Sequence, residues 1–384
     1  MNIPIEFVLF AITLLGVAVF HDRNLEVAVT GLLAITLYKV LVLQDLNLVT
    51  HFQHEERLVL NLLGLLLGFA ILARHFELSR LPDWLPRILP DDWKGGFVLL
   101  VMVAVISTFL DNIAAAIIGG VVAGHVYERK VSVGFLAAIV AASNAGGAGS
   151  VIGDTTTTMM WIAGIPALHV ADAFIASIVA VVFSGIVAAK AQQRYHPVTK
   201  NPPAHLHIDW GQLLVVGFII IGAIVANIAM DLPAAGVWVA IVLGGLVRKT
   251  PWQELTKAIK GSLFLITLVL AASLMPVKEL PAPSPESAFG LGFVSAVFDN
   301  IPLTALALYQ GGYDWGLLAF AVGFGGSMIW FGSSAGVAMS NLYPQAKNTL
   351  SWLREGWHVP VAYVLGFATL YLLLGWHPDP APVK

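Results

Sequence analysis

Apolar runs of about 15 to 20 residues follow one another along most of this chain. As a helix, a run of that length crosses a hydrocarbon layer roughly 30 Å thick. A helix also satisfies its own backbone hydrogen bonds, which a chain surrounded by lipid must do. We therefore predict an all-α polytopic membrane protein whose principal surroundings are the lipid bilayer.

Composition supports the same class and excludes several others. Hydrophobic residues make up 58% and charged residues 11% of the 384 positions, whereas soluble domains are near half apolar and about a quarter charged. The longest polar stretch, 190–210, is too short for a sizeable soluble enzymatic or ATP-binding domain. The sequence contains no cysteine, so disulfides and thiolate metal sites are excluded. We expect no enzymatic activity, no resident cofactor and no nucleic-acid partner.

Breaks at Gly, Pro and charged residues divide the chain into twelve units. The units are 5–20, 26–44, 58–73, 96–127, 133–165, 171–189, 211–230, 235–247, 261–275, 288–310, 315–343 and 358–376. An Asp-Asn pair interrupts 96–127 and 288–310 halfway, and we predict that each is a re-entrant hairpin that enters and leaves on one side. About ten transmembrane spans remain.

The distribution of Lys and Arg predicts the orientation, because these residues are enriched in short cytoplasmic loops. With the loop 74–95 in the cytoplasm, only Arg57, Lys278 and Lys384 fall outside, and Lys39 lies within a span. This bias would largely cancel if the hairpins crossed the membrane. We therefore predict re-entrant hairpins and both termini outside. We also expect a location in a bacterial inner (cytoplasmic) membrane.

The two halves of the chain repeat the same order of units with opposite orientation. Repeat 1 covers 1–200 and contains scaffold spans in 5–73, the hairpin 96–127, a broken helix 133–165 and the span 171–189. Repeat 2 covers 201–384 and contains scaffold spans in 211–275, the hairpin 288–310, a broken helix 315–343 and the span 358–376. Two pairs of motifs match at corresponding places: Ser107-Thr-Phe-Leu-Asp111-Asn112-Ile113 with Ser295-Ala-Val-Phe-Asp299-Asn300-Ile301, and Gly146-Gly147 and Gly153 with Gly325-Gly326 and Gly332. The pattern predicts an inverted-topology repeat, which is common among secondary transporters.

Asp111 and Asp299 follow about fifteen apolar residues, or roughly 22 Å of helix, which puts them well inside the membrane. An ionisable group at that depth is costly and is a functional candidate by default. The alternative is that each Asp-Asn pair merely caps the returning helix, with a side-chain oxygen accepting orphan amides. The two roles can coexist.

The stretch from Ser143 to Thr158 is too polar and too rich in glycine for a continuous helix facing lipid. A break there leaves backbone groups unpaired, which is tolerated where protein or a water-filled cavity surrounds them. Its carbonyls, hydroxyls and Asp154 carboxylate are hard oxygen ligands that suit a small cation such as Na+. Close helix packing is the alternative explanation for the glycines. The stretch around Ser333-Ser334 is the uncharged counterpart.

The predicted core contains three carboxylates and neither Lys nor Arg, so its field favours cations. A carboxylate at such depth is stabilised by either a proton or a cation, and this competition is a minimal chemistry for antiport. The candidate ion-binding residues are Asp111, Asn112, Asn144, Asp154, Thr155, Thr156, Asp299, Asn300, Ser333 and Ser334, with Asp111, Asn144, Asp154 and Asp299 as candidate Na+ ligands. His51, His54 and Glu55 fall in a predicted outer loop, where a solvated surface is the simpler interpretation and pH sensing the alternative.

The segment Asn144-Ala-Gly-Gly-Ala-Gly-Ser-Val-Ile-Gly-Asp154-Thr-Thr-Thr-Thr-Met-Met-Trp161-Ile, together with Asp299-Asn-Ile-Pro-Leu303, resembles the ion transporter superfamily and most closely its NhaD-type sodium/proton antiporters. The resemblance covers the chain from about Phe97 onward. It implies hairpin tips and unwound helices at the ion site, a homodimer and an elevator-like movement against a scaffold. We therefore expect exchange of Na+ or Li+ for H+. Superfamily relatives also move citrate, other carboxylates or arsenite, so cation-coupled carboxylate symport is the alternative. A channel-like or structural membrane protein is a third.

Overall fold

The computed structural model describes residues 4–20, 23–44, 47–199 and 207–379, which form helices and loops with no β-strand among them. The all-α prediction is confirmed for this part of the chain. The predicted positions of Lys384 and of both chain termini, and the boundary between the repeats near residue 200, lie outside the described residues.

The described residues form nineteen α-helices. They are α1 (Ile5–Val19), α2 (Asn24–Tyr38), α3 (Leu48–Leu78), α4 (Leu81–Trp84), α5 (Trp93–Ser107), α6 (Asn112–Val126), α7 (Val133–Ala148), α8 (Thr155–Ile162), α9 (Ala167–Ala171), α10 (Ala173–Tyr195), α11 (Trp210–Met230), α12 (Pro233–Gly244), α13 (Gln253–Ser273), α14 (Pro285–Ser295), α15 (Asn300–Gln310), α16 (Trp315–Gly325), α17 (Ser334–Leu342), α18 (Thr349–Glu355) and α19 (His358–Leu374). A π-helical turn, Lys39–Leu43, continues α2. Short 3₁₀ segments occur at Leu85–Ile88, Val277–Glu279 and Pro344–Lys347.

Five described helical segments are long and apolar enough to cross a membrane: Asn24–Leu43, Gln53–Leu78, Ala167–Tyr195, Trp210–Met230 and Gln253–Ser273. The pair α18 and α19 is a sixth if it forms one span bent by 56°. Large apolar side chains such as Leu246, Ile228 and Leu372 are at least 80% exposed, an unfavourable arrangement in water that suits contact with lipid. The figure of ten spans remains a prediction.

The helices pack as two groups. Helices α1, α2, α3, α11, α12 and α13 form one group, and α5 to α10 and α14 to α19 form a second group. The groups meet where α13 and α3 face α15 and α8. Every residue of α7 and α16 is buried, so these two helices form the centre of the second group.

Backbone-to-backbone packing explains one glycine in each of the two matching motifs. A Cβ atom added to Gly146 would lie 2.0 Å from the carbonyl oxygen of Ala104 in α5. A Cβ added to Gly325 would lie 2.3 Å from the carbonyl oxygen of Gly292 in α14. Small residues allow this approach, so close packing is the correct explanation at these two positions.

The interpretation of residues 51–55 as a solvated outer loop is wrong for Glu55. Helix α3 begins at Leu48, because Asn47 caps it by accepting a hydrogen bond from the Thr50 amide. This places Glu55 on the helix, and its side chain is buried. Asn47 precedes a run of polar residues at the start of α3. Hydropathy alone does not distinguish such a polar first turn from a loop.

Candidate functional site

Two helices begin with the Asp-Asn pairs that the sequence singled out. Asp111 accepts a hydrogen bond from the Ile113 amide at 2.8 Å and caps α6, and Asp299 accepts one from the Ile301 amide at 3.0 Å and caps α15. Their backbone angles agree closely, with φ, ψ of −50°, 141° at Asp111 and −53°, 140° at Asp299. Both aspartates therefore cap a helix, as one of the two interpretations from the sequence predicted. One carboxylate oxygen caps each helix, and the second oxygen of Asp299 accepts a hydrogen bond from Ser334 Oγ at 3.4 Å.

The first break, residues 149–154, separates α7 from α8. Asp154 caps α8 by accepting a hydrogen bond from the Thr156 amide at 2.9 Å. Thr157 Oγ1 donates to the Ser150 carbonyl at 2.6 Å, and Thr158 Oγ1 donates to the Val151 carbonyl at 3.0 Å. These two threonines satisfy carbonyls that the break frees, so they stabilise the unwound backbone.

The second break, residues 326–333, separates α16 from α17, and like the first it ends in a side chain that caps the next helix. Ser333 caps α17 by accepting a hydrogen bond from the Gly336 amide at 3.3 Å. Its φ, ψ of −141°, 152° is close to the −145°, 141° of Asp154. The two breaks thus share a backbone conformation and differ in the charge of the capping side chain.

Asn144 joins the two breaks through side-chain amides. Asn112 Nδ2 donates to Asn144 Oδ1 and to Asp154 Oδ2, both at 3.1 Å. Asn144 Nδ2 in turn donates to Ser327 Oγ at 2.9 Å and to Ser333 Oγ at 3.2 Å. Ser327 was absent from the predicted site; the signal that could have found it is its place directly after Gly325-Gly326 in the second break.

The members of this network are shielded from solvent. Asn144 is 0% and Asp154 2% exposed, and Asn112, Asn300, Ser327 and Ser333 are also buried. Thr156 is buried as well, and its hydroxyl makes no hydrogen bond of ordinary geometry within the described part of the chain. The hydroxyl is close enough to the Asp154 carboxylate to interact with it, so it can supply a neutral oxygen beside that charge.

A cavity of about 310 Å³ lies between the two helix groups. Helices α3 and α13 form one wall of this cavity. The opposite wall carries six of the predicted ion-binding residues: Asp111, Asn112, Asp154, Thr155, Asn300 and Ser334. Asp299 instead lines an adjoining cavity of about 140 Å³, together with Ser333 and Ser334. The structure therefore brings Asp111 and Asp154 into one cavity and places Asp299 beside it, with Ser334 lining both.

The sequence predicted a site with neither Lys nor Arg, but one lysine, Lys257, lines the cavity. Lys257 lies on α13 and Glu77, which also lines the cavity, lies on α3; because both side chains reach solvent, we take this end as its mouth. Lys257 Nζ is 2.8 Å from Glu254 Oε1, and its side chain is largely exposed, so its charge is paired and screened. The inner lining keeps the carboxylates of Asp111 and Asp154. Among the described residues, no three His, Asp or Glu side chains converge as a ready-made metal site. A cation would therefore need neutral oxygens as additional ligands.

The family model for "Citrate transporter" matches residues 7–325, well over half of the chain. The chain belongs to the citrate transporter family. This membership confirms the resemblance to the ion transporter superfamily, and with the apolar helices it identifies an integral, multi-pass membrane transporter rather than an enzyme.

Three named proteins are similar to this member of the citrate transporter family. Sodium/proton antiporter 1 of Arabidopsis thaliana is 28% identical over 339 residues, which cover 75% of this chain and 57% of that protein. Sodium/proton antiporter 2 of the same plant is 25% identical over 388 residues, covering 85% and 90%. The Na(+)/H(+) antiporter NhaD of Vibrio parahaemolyticus is 28% identical over 306 residues, covering 64% and 72%. The chain thus matches little more than half the length of the first of these relatives.

Proposed function

We propose that this protein is a secondary active transporter that exchanges Na+ or Li+ for H+. The observation that carries the proposal is the buried Asp154 carboxylate, which faces the same cavity as Asp111. A carboxylate away from bulk water is stabilised by either a proton or a cation, and competition between the two for one group couples their movements. The similarity to proteins named sodium/proton antiporters supports this choice of ions.

The side chains would divide the work in this mechanism. Asp154 and Asp111 bind the ion or the proton, and the hydroxyls of Thr155 and Thr156 supply neutral oxygens. Asp299 contributes negative charge from the adjoining cavity, and Asn300 and Ser334 complete the wall. Asn112, Asn144 and Ser333 hold these groups in place through their hydrogen bonds.

The arrangement of loops supports the proposed orientation and the inverted repeat. Three segments predicted to be outside meet at one cavity, to which His169, Asp314 and His377 contribute. Two segments predicted to be inside meet at another, to which Arg129 and Gln345 contribute. We propose ten spans in an inverted repeat with both termini outside, in a bacterial inner membrane, and a homodimer with an elevator-like movement. The mouth at Glu77 and Lys257 then opens toward the cytoplasm.

A carboxylate symporter is the second candidate, and one observation favours it. Helices α6, α8, α15 and α17 all begin with a capping residue at these two cavities. Helix N-termini carry positive partial charge and bind anions such as a substrate carboxylate. The two carboxylates facing the main cavity oppose an anion there, and for this reason we favour the antiporter.

Reconstituted vesicles with a pH dye trapped inside separate the two candidates. For an antiporter, we expect a Na+ pulse to move protons, and we expect Asp154→Asn to reduce the rate by about 100-fold or more, because it removes a charged ligand where even supporting residues typically contribute 10–100-fold. The matched control is Asp231→Asn, an exposed carboxylate far from the cavity. Accumulation of labelled citrate, with no proton movement in response to Na+, would show that the antiporter proposal is wrong.

A further inference from the structure

A hydrogen bond joins the two helix groups at a distance from the cavity mouth. Tyr309 of α15 donates to Glu55 Oε2 of α3 at 2.6 Å. Glu55 lies near the start of α3 and Glu77, at the cavity mouth, near its end, so the two positions are roughly 33 Å apart along the helix. The interface is therefore closed at the Glu55 end of α3 and open at the Glu77 end.

The start of α3, which carries Glu55, is held within the first helix group. His51, one turn earlier on α3, lies with Nε2 2.9 Å from Ser273 Oγ of α13, and Lys39 Nζ donates to the Leu274 carbonyl at 3.3 Å. These contacts tie α3 and the turn after α2 to the end of α13. Tyr309 comes from the other side of the interface, on the helix that Asp299 caps. The hydrogen bond from Tyr309 to Glu55 thus links the anchored start of α3 to α15.

The position of Tyr309 on α15 connects this contact to the ion site. Asn300, at the first residue of α15, lines the main cavity, and Tyr309 is nine residues further on, or roughly 14 Å along a short helix. A helix of this length moves as a rigid unit. Any rearrangement that carries Asn300 relative to α3 and α13 must also change the distance between Tyr309 and Glu55.

We propose that Glu55 and Tyr309 form a latch that closes the transporter on the side opposite the cavity mouth and opens once in each transport cycle. Transport by alternating access requires the site to face each side in turn, so the inference rests on the proposed function in this respect. This hydrogen bond is partly buried, and a hydrogen bond to a carboxylate is stronger than one between neutral groups. Its presence in the state that is open at Glu77, and its loss in the opposite state, biases the equilibrium between them.

The absence of cysteine from the sequence makes a direct test available. Ala114→Cys introduces one thiol at a partly exposed position in the cavity wall. The protein is reconstituted into vesicles in each of its two orientations. A membrane-impermeant maleimide added outside then gives the labelling rate from each side of the protein. In the Ala114→Cys parent, we expect labelling mainly from the side of the mouth. Addition of Tyr309→Phe should raise the rate from the opposite side by about threefold or more and lower the rate from the mouth side.

The matched control is Tyr313→Phe, since Tyr313 is a second tyrosine near this end of α15 and is itself buried. Its hydroxyl donates to Gln310 Oε1 at 3.2 Å and makes no link to α3 among the described contacts. We expect it to leave both labelling rates unchanged. Glu55→Gln keeps a neutral acceptor for the phenol and should produce a smaller shift in the same direction, which provides a second variant if Tyr309→Phe does not fold.

Equal labelling in the parent and in both latch variants would overturn the latch, and so would an equal shift in Tyr313→Phe. The Na+-induced proton movement, measured on vesicles of the unsubstituted protein and of Tyr309→Phe without the cysteine, separates this outcome from failure of the proposed function. A shift in labelling without Na+/H+ exchange refutes the exchange and supports the latch. Exchange with no shift in labelling refutes the latch alone.

Discussion

The two breaks at the centre of the protein have the same backbone and different side chains. Asp154 and Ser333 occupy equivalent caps, and Asn144 and Gly323 occupy equivalent places two residues before the paired glycines. A Cβ on Gly323 would lie 3.8 Å from Asp154 Oδ2. The second break and the helix before it therefore carry a hydroxyl and a glycine where the first break and its helix carry a carboxylate and an amide.

This difference shows how a repeated framework can hold a single polar site. Two buried carboxylates at the two caps would repel each other in surroundings that screen charge weakly. With one carboxylate and one hydroxyl, Asn144 bridges both caps without adding a second charge. The two breaks therefore share a backbone conformation, and only the first carries a carboxylate, Asp154.

The largest expected effect tests the shared framework. Gly146→Ala and Gly325→Ala each force a methyl group against a backbone carbonyl, so both should lower the free energy of unfolding by on the order of 3 kcal/mol. Thermal unfolding in detergent measures the loss. The matched control is Gly217→Ala on α11, where an added Cβ meets no atom within 4 Å. A large loss at only one of the two glycines would mean that the breaks are not equivalent in packing.

A smaller effect tests the unequal charge at the two tips. Asp111 shares its cavity with Asp154, whereas Asp299 acts from the adjoining one. We expect Asp111→Asn to weaken the apparent affinity for Na+ by about tenfold. Asp299→Asn should weaken it by less than about threefold, since its field acts from a greater distance. The Na+ dependence of proton movement in vesicles gives both values, and a larger effect of Asp299→Asn would reverse the assignment.

Loss of the bridge between the breaks is expected to have a smaller effect than loss of Asp111. Asn144→Ala removes the amide that links Asn112 to Ser333, and we expect about a fivefold weaker apparent Na+ affinity, equivalent to one net hydrogen bond. The neighbouring Ser143→Ala is the control, because Ser143 Oγ donates to the Val140 carbonyl within α7. If the two variants behave alike, the bridge has no role in binding.

Several features of the site could be predicted from the sequence because they depend on local chemistry. An Asp after an apolar run and before another must cap a helix or bind a ligand, and Asp111 and Asp299 do cap α6 and α15. The glycine-rich stretch before Asp154 predicted a broken helix, and α7 does end at Ala148. In both cases the residues that create the signal are neighbours in the chain.

Other features depend on residues far apart in the chain and could not be predicted. Ser327 becomes part of the site only because α7 and α16 bring Asn144 beside it. Glu55 followed a polar stretch typical of a loop, and its burial results from contact with Tyr309 of α15. The division of the three carboxylates between two cavities also follows from how α3 and α13 meet the second helix group.

By itself, the sequence determined an α-helical chain with long apolar segments, capped helix starts at Asp111 and Asp299, and two glycine-rich breaks. These properties follow from the hydrophobic effect and from backbone hydrogen bonding, which act on each segment locally. Only the tertiary structure decided that Asp111 and Asp154 share a cavity, that Asn144 joins the two breaks and that Glu55 is buried against Tyr309. Those outcomes depend on which helices pack together, and side-chain contacts between distant segments decide that packing.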